Sequence, residues 1–396
     1  MKNKLLVLLV FLGLNISAQT VELFNNGDTI YINNDVIYVN GGITNTSNGV
    51  FDNYGQIYLT ENWTNNAGNV AFSNASNGEV ILTGANQNIQ GNNITEFYTL
   101  SLQGTGIKYL NAVDAIVKNQ LNLNDIELAT QTNTIYIKNT SLNAIQRTSG
   151  FVSSLGSGSL SRDMSLGLPY LFPVGSSDGT LRYRPIKIKP TLNANVTYAA
   201  RMANVNPTSE GYDINVKEQK ISQVNPNFYH LIYRTNGTQS ADLIFYYDPI
   251  EDGNVNDVAH WQNIPQWESI DAKADAPENN FNALKVEDWI DFNNHAFALT
   301  ITDIICGDLF FPTIFSPNSD GLNDEQCVLG NCIQSARWAV YNRWGEKVFE
   351  TEDKNACWDG TFKGNPLNTG VYVYKLTAVL LNGEIVNQKG NLTIVR

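Results

Sequence analysis

The chain has 396 residues, 38 acidic and 25 basic, for a formal net charge of −13. An acidic surface repels phosphate backbones, so nucleic acid is not an expected partner. The length allows two or three domains, each able to bury its own core, and no apolar run reaches the roughly 20 residues that an integral membrane span needs.

Residues 1–18 read as a secretory signal peptide. Lys2 and Lys4 start it, residues 5–14 form a short apolar core, and Ser17-Ala18 precede an expected cut ahead of Gln19. Residues 19–189 are rich in Asn, Gly, Thr and β-branched residues, without apolar spacing at i, i+3, i+4. Short alternating runs recur instead, at Val36–Val39, Gln56–Leu59, Glu79–Leu82, Leu100-Ser101-Leu102, Leu121-Asn122-Leu123 and Thr134–Ile137. Breaks such as Asn25-Asn26-Gly27, Asn40-Gly41-Gly42 and Asn65-Asn66 separate them, giving units of about twenty residues, the mark of a β-solenoid. One coil cannot bury its apolar face alone, whereas stacked coils share a core. Recurrent Asn would let side-chain amides bond along the stack, and Asn tolerates the left-handed backbone of tight corners. A conventional sandwich with polar loops is the alternative.

From about residue 190 the runs lengthen and become aromatic, around residues 195–200, 228–233, 242–247 and 295–300. They predict a separate β-sandwich over 190–305, with a hairpin at Asn263-Ile264-Pro265 flanked by Trp261 and Trp267. Residues 306–396 predict a further small sandwich of about seven strands. Its runs at 337–342 and 370–376 are aromatic and β-branched. Asn382-Gly383 has the form of a two-residue hairpin turn, and residues 342–346 read as another turn, with Gly345 freeing the backbone. The whole chain is therefore expected to be all-β.

All four cysteines, Cys306, Cys327, Cys332 and Cys357, fall in this last segment. An even number in an exported chain favours two disulfides, with three connectivities open. A zinc site is the alternative, but no CxxC and no neighbouring His supports it. Asn318, Asp320, Asn323 and Asp324 offer hard oxygen ligands of the kind calcium takes, without the EF-hand spacing; the plainer reading is a set of Asx turns. No other cofactor is expected.

The C-terminal motifs come in a set order. Residues 315–324 (Phe-Ser-Pro-Asn-Ser-Asp-Gly-Leu-Asn-Asp) are followed by residues 341–350, which begin Tyr341-Asn342-Arg343-Trp344-Gly345. Then come Trp358-Asp359-Gly360-Thr361, Thr369-Gly370-Val371-Tyr372, and a closing stretch from Lys389-Gly390. This series resembles the gliding-motility-associated C-terminal domain, the type B sorting signal of the Bacteroidetes type IX secretion system. The resemblance implies an Ig-like β-sandwich read by the type IX secretion machinery, and a chain carried across the outer membrane to the cell surface or beyond. It also implies that Asp320, Gly321, Asn323, Asp324, Arg343, Trp344, Gly345, Trp358, Asp359 and Gly360, with Tyr341 and Gly390 in the same motifs, serve as turns and core. It favours the pairings Cys306–Cys332 and Cys327–Cys357. Asn318-Ser319-Asp320 departs from the family's Asn-Gly-Asp, which tests whether the loop needs a positive φ there. Residues 62–66, 147–152, 170–175 and 182–186 further resemble the N-terminal parts of such cargo, which are surface or adhesin-like proteins without known catalytic residues.

The other motifs carry a bland reading beside the chemical one. Gly175-Ser176-Ser177-Asp178-Gly179 fits G-x-S-x-G, but Thr180 to Arg184 alternate like a strand where the nucleophile elbow needs a helix. His230, His260 and His295 are the only histidines, none at i, i+4 spacing. Acidic pairs at about 5–9 Å would suit glycoside cleavage, a geometry that spacing does not reveal. Asp248, Asp252, Asn254, Asn256 and Asp257 form a second calcium-like cluster or a solvated turn. Arg182, Arg184, Lys187 and Lys189 would make a stripe for acidic glycans or a face of surface ion pairs, and Trp261 with Trp267 a sugar platform or core. The sum is a non-enzymatic exported protein in adhesion, surface-layer or gliding-related contact, its partners a surface glycan or another cell-surface protein. A polysaccharide-binding module is the alternative, and a solenoid polysaccharide-degrading enzyme a further one.

Overall fold

Alternation along short strands, repeated every twenty residues, closes the chain into coils. A computed structural model describes residues 21–303, 306–330 and 332–396; the expected signal peptide lies outside them. Leu23 faces Ile43 and Ile43 faces Trp63, one coil further on each time. Continued through Gln87–Gly91, Ile107–Asn111, Glu127–Ala129 and Val152–Ser153, this makes a 7-stranded parallel sheet. A second parallel face stacks Val36–Val39, Gln56–Leu59, Glu79–Leu82, Thr95–Leu102, Ala115–Asn124, Thr134–Ile137 and Ser159–Met164. The result is a β-solenoid of about seven turns over residues 23–162.

Inward positions repeat from coil to coil, as in the column Ile57, Val80, Leu100 and Leu121, all buried. Where the coil between Trp63 and Ile89 lengthens, the added chain brings Phe72 inside to stack on Trp63 at 5.2 Å, with Phe51 and Phe97 at 5.4 and 5.6 Å from the same ring. The Trp63 indole N–H donates to Thr95 Oγ1 at 3.0 Å, so its one polar atom is satisfied.

A polar column also runs inside. Asn25, Asn45 and Asn65 stand in register and are buried. Each amide holds the corner that follows it: Asn25 Nδ2 donates to the Asp28 carbonyl at 3.0 Å, Asn45 Nδ2 to Gly49 at 2.8 Å and Asn65 Nδ2 to Asn69 at 2.9 Å. Asn45 also reaches Asn65 Oδ1 at 3.4 Å. The Asn25-Asn26 and Asn65-Asn66 pairs, expected as breaks, therefore contribute residues to the strands Leu23–Asn26 and Trp63–Asn65. Gly49 has to be a glycine here, because a Cβ would lie 2.3 Å from Asn45 Oδ1 and 2.6 Å from Asn25 Nδ2.

Residues 21–301 form one compact unit. Beyond the coils, Ser159–Met164 is parallel to Thr134–Ile137 on one edge and antiparallel to Val196–Ala203 on the other. The sheet continues through Tyr229–Asn236, Ala296–Thr302 and Asp257–Trp261 to Trp267–Ser269, reaching 14 strands. A 5-stranded antiparallel sheet that includes Ile186–Pro190, Ala241–Tyr247 and Phe281–Trp289 completes the sandwich. One apolar cluster extends from Ile32 to Leu299. The sandwich read from residue 190, with the solenoid resting against it, shares a sheet and an apolar cluster with the coils. The junction strand gives the last coil an antiparallel partner, which covers an edge that would otherwise stay open.

Residues 302–396 form the second unit. Its 5-stranded sheet orders Ile314–Phe315, Ile385–Ile394, Gly370–Leu380, Ile333–Tyr341 and Lys347–Thr351, closed over a core around Trp338, Trp358, Tyr374 and Leu376 in a sandwich-like unit.

Candidate functional site in the C-terminal unit

Two hairpins of identical build frame the unit. At the first, the Asn342 amide donates to the Glu346 carbonyl at 2.9 Å and Gly345 N to the Asn342 carbonyl at 3.0 Å, with Gly345 at φ +79°. At the second, Leu380 N donates to Glu384 at 2.8 Å and Gly383 N to Leu380 at 2.9 Å, with Gly383 at φ +84°. Each is a three-residue loop, a turn followed by a left-handed glycine. Asn382-Gly383 is thus not the two-residue turn expected, because Leu381 joins the loop.

The first tip is braced by its own asparagine. Asn342 Oδ1 accepts from Trp344 N at 2.9 Å and Glu346 N at 3.0 Å, and Asn342 Nδ2 donates to Glu346 Oε2 at 3.0 Å. Arg343 and Trp344 sit exposed on this tip, Trp344 at 84% of its full accessibility, while Tyr341 is half-buried at the strand end. Trp344 therefore belongs to neither core nor turn hydrogen bonding through its side chain, unlike the other motif tryptophan. Trp358 is buried, its indole N–H 2.8 Å from the Thr361 carbonyl that accepts it. Asp359 Oδ1 accepts from Thr361 N and Oγ1, and Gly360, at φ +73°, passes 3.1 Å (measured to a notional Cβ) from the Pro317 ring. Gly390 stands opposite Tyr374, whose ring a Cβ there would approach to 3.0 Å.

The loop at 316–324 is organised around one carboxylate. Asp324 Oδ1 accepts from Asn318 N at 2.9 Å and Ser319 N at 2.6 Å, and Oδ2 accepts from Gly321 N at 2.7 Å. These amides, Gly321's foremost, hold the Asp324 carboxyl below the usual carboxylate range. Asp320 Oδ1 accepts from Leu322 N and Asn318 Oδ1 from Asp320 N. Asn318 and Asp320 are thus engaged in Asx turns, and Asp324 gathers the backbone amides of the same loop. Ser319 has φ +65° and Asn323 φ +54°, so the position where the family carries Gly does take the left-handed backbone.

The cysteines pair as Cys306–Cys332 and Cys327–Cys357. The second bond sits beside an isolated antiparallel bridge in which Gln326 and Trp358 exchange both backbone hydrogen bonds at 2.8 Å. It therefore staples the buried tryptophan to the otherwise irregular segment before Ile333. Loops of 26 and 30 residues each confer roughly 3–4 kcal/mol by the chain-entropy estimate. Glu325 lies near Cys327 and Cys357, but both sulfurs are spent in the disulfide, which removes the zinc alternative there.

Residues singled out in the first unit are drawn into its own structure. Arg184, expected on a solvated stripe, is buried. It binds Asp252 through two nitrogens, one at 3.0 Å, and Glu251 at 2.6 Å. Burial lowers its basicity, and the two carboxylates more than restore it. Asp252, a candidate calcium ligand, is thereby committed, and Asp257 accepts from Val258 N, Ala272 N and Ser269 Oγ. Lys187 pairs with Glu278 and Lys189 with Asp242, while Arg182 donates to Asn204 Oδ1 at 2.8 Å.

Trp261 and Trp267 face each other across the expected hairpin at 5.4 Å, but Trp267 is wholly buried, so the pair does not make an open sugar platform. Ser176 Oγ accepts from Asp178 N at 3.1 Å, and Gly175–Ser176 turns back onto Arg182–Tyr183, so the elbow's helix is replaced by a strand. His230 Nε2 donates to the Arg184 carbonyl at 2.8 Å, and burial pulls its pKa down to about 4. His260 bonds the Asn294 carbonyl, and burial lowers its pKa also; His295 packs against Tyr233 at a tilt, with ring centroids 4.1 Å apart.

Three buried cations had no place in the motifs, the first being Arg162, whose guanidinium donates to the carbonyls of Leu171, Ser141 and Leu142. Lys108 Nζ donates to the carbonyls of Gly84 at 2.7 Å, Ala85 at 2.5 Å and Thr105 at 3.1 Å, and burial lowers its pKa to about 8. Arg201 forms a bidentate pair with Glu210 at 2.7 and 2.6 Å. The signal for Lys108 was alternation: it and Leu110 occupy the inward positions of Ile107–Asn111.

The class that this unit defines is an export-signal domain of β-sandwich type. Residues 309–394 match the family model described as CHU_C Type IX secretion signal domain. The chain thus carries a type IX signal and is a cargo of that export route, carried across the outer membrane to the surface or outside. No curated protein and no solved structure matches the chain. No helix among the described residues is long and apolar enough to cross a membrane.

Proposed function

We propose that residues 21–301 act without catalysis, as an adhesive surface once the signal domain has delivered them. The observation that carries this reading is the outward column of the solenoid. Thr44, Thr64, Gln90 and Asn111 stand in register on successive coils. Gln90 Nε2 donates to Thr64 Oγ1 at 3.2 Å and Asn111 Nδ2 to Gln90 Oε1 at 3.3 Å. Neutral donors and acceptors repeated at the strand spacing of about 4.8 Å suit an extended, repetitive partner better than a small substrate. Exposed aromatics on the first coils, Phe24, Tyr31 and Tyr38, add apolar contact area.

The partner fitting this face is a surface glycan or another cell-surface protein. The test is attachment. Cells lacking the chain should bind glass and polysaccharide-coated surfaces less well, and replacing Thr64 and Gln90 by Glu should reproduce the defect with the protein still at the surface. Unchanged attachment in both strains, or cleavage of polysaccharide by the purified protein, would overturn the reading.

A further inference from the structure

The apolar residues exposed on the C-terminal unit differ in how they are presented. Ile385 and Val371 lie along strands, where the sheet itself dictates outward alternation. Trp344 is on a loop that needs only a glycine at its third position, and no packing requires an indole there. Its 84% exposure is the highest among the unit's large apolar residues that the structure describes. An exposed tryptophan sheds ordered water when covered, and Trp and Arg lead the residue types that dominate binding interfaces.

The tip is also pre-arranged. Three hydrogen bonds to the Asn342 side chain fix its backbone, so docking would cost little ordering entropy. Arg343 is exposed and has no carboxylate partner among the described residues. Arg343 follows the strand that ends with Tyr341 opposite Val373, and Arg396 follows the strand that ends with Ile394 opposite Gly370, so both residues lie at the same end of the sheet.

We propose that the Arg343–Trp344 tip is where a protein component of the type IX exporter docks, through an apolar socket for Trp344 flanked by a carboxylate for Arg343. The proposal rests on the export role of residues 309–394, because a signal can be read only through groups it presents to solvent.

The test compares four versions of the full chain in cells with a working type IX system: the parent, Trp344→Ala, Ile385→Ala as an exposed control far from the tip, and a chain lacking residues 302–396. The surface and medium fraction of Trp344→Ala should fall at least about tenfold, the scale of losing a hot-spot tryptophan, with protein held in the periplasm, while Ile385→Ala matches the parent. The purified Trp344→Ala chain should keep its melting temperature and both disulfides. If it does not, Trp344→Gln and Arg343→Glu are read in its place.

Export of Trp344→Ala at the parent level, with the truncated chain retained, would overturn the docking proposal and leave the signal intact. Export of the truncated chain would instead remove the signal reading. A photo-crosslinking residue at position 344 should capture an exporter subunit identified by mass spectrometry. Capture of a second copy of this chain, or of glycan, in place of that subunit would overturn the proposal.

Discussion

The solenoid unit and the signal unit reach stability by opposite means. In residues 21–301 one large apolar cluster runs from Ile32 to Leu299 with two smaller ones in the sandwich, and the cysteine-free chain repeats the same contacts coil after coil. Residues 302–396 are too few to bury a comparable core, and they hold two disulfides, two braced hairpins and an Asx loop around one carboxylate. Repetition spreads stability over many equivalent contacts, whereas a small signal domain concentrates it in a few staples.

That contrast is sharpest at Trp63. Trp63→Ala should destabilise the first unit by about 3–5 kcal/mol, since it empties a ring site packed by Phe51, Phe72 and Phe97. Hydrogen exchange should report the loss in residues 21–301 and leave the second unit protected. Reduction reverses the pattern: breaking both disulfides should lower the stability of residues 302–396 by about 2–5 kcal/mol per bond and leave the first unit's urea midpoint in place. A matching shift in both units would break the comparison.

Acid should act on the first unit through His230. Its folded pKa of about 4 lies below its ordinary value, so the unfolded chain takes the proton first as pH falls. Stability from this group is complete above about pH 6.5 and is lost as pH falls through about 4, a change of roughly 3 kcal/mol. Urea unfolding at pH 7 and pH 4 should therefore show a smaller pH loss in His230→Gln than in the parent. Smaller still is Asn45→Ala, expected to cost about 1–3 kcal/mol by removing the closer of the two amides that donate to the buried Gly49 carbonyl, Asn69 Nδ2 remaining at 3.4 Å.

What the sequence displays depends on which side chain faces inward. Val36–Val39, Gln56–Leu59, Glu79–Leu82 and Thr134–Ile137 have the same bounds in the fold as in the pattern, because β-branched and aromatic residues fill them. The opposite sheet was hidden because Asn25, Asn45, Asn65, Gln87 and Lys108 hold inward positions where apolar residues would have signalled a strand. Gln87 and Lys108 bind carbonyls 23 to 28 positions back on the neighbouring coil, which no local window contains, while the asparagines bind carbonyls three or four residues on, a contact that alternation does not display.

In the signal unit the order of motifs was legible, and so was the turn at Gly345. The burial of Trp358 against the exposure of Trp344 was not, since both read as motif aromatics one or two residues before a glycine. The Arg184 stripe failed for a related reason: Asp252 lies 68 positions away in the chain, and only the folded sheet brings it beneath the guanidinium.

The strand Ser159–Met164, parallel on one edge and antiparallel on the other, has a consequence for how the coils come apart. Every coil bonds only to its immediate neighbours, and the far end of the stack is sewn into the sandwich. Loosening among the described coils should then run in one direction, from Val36–Val39 inward, as a zip opens from its free end. The same seam lets the stack grow or shrink by whole coils over evolutionary time, with the sandwich beyond it undisturbed.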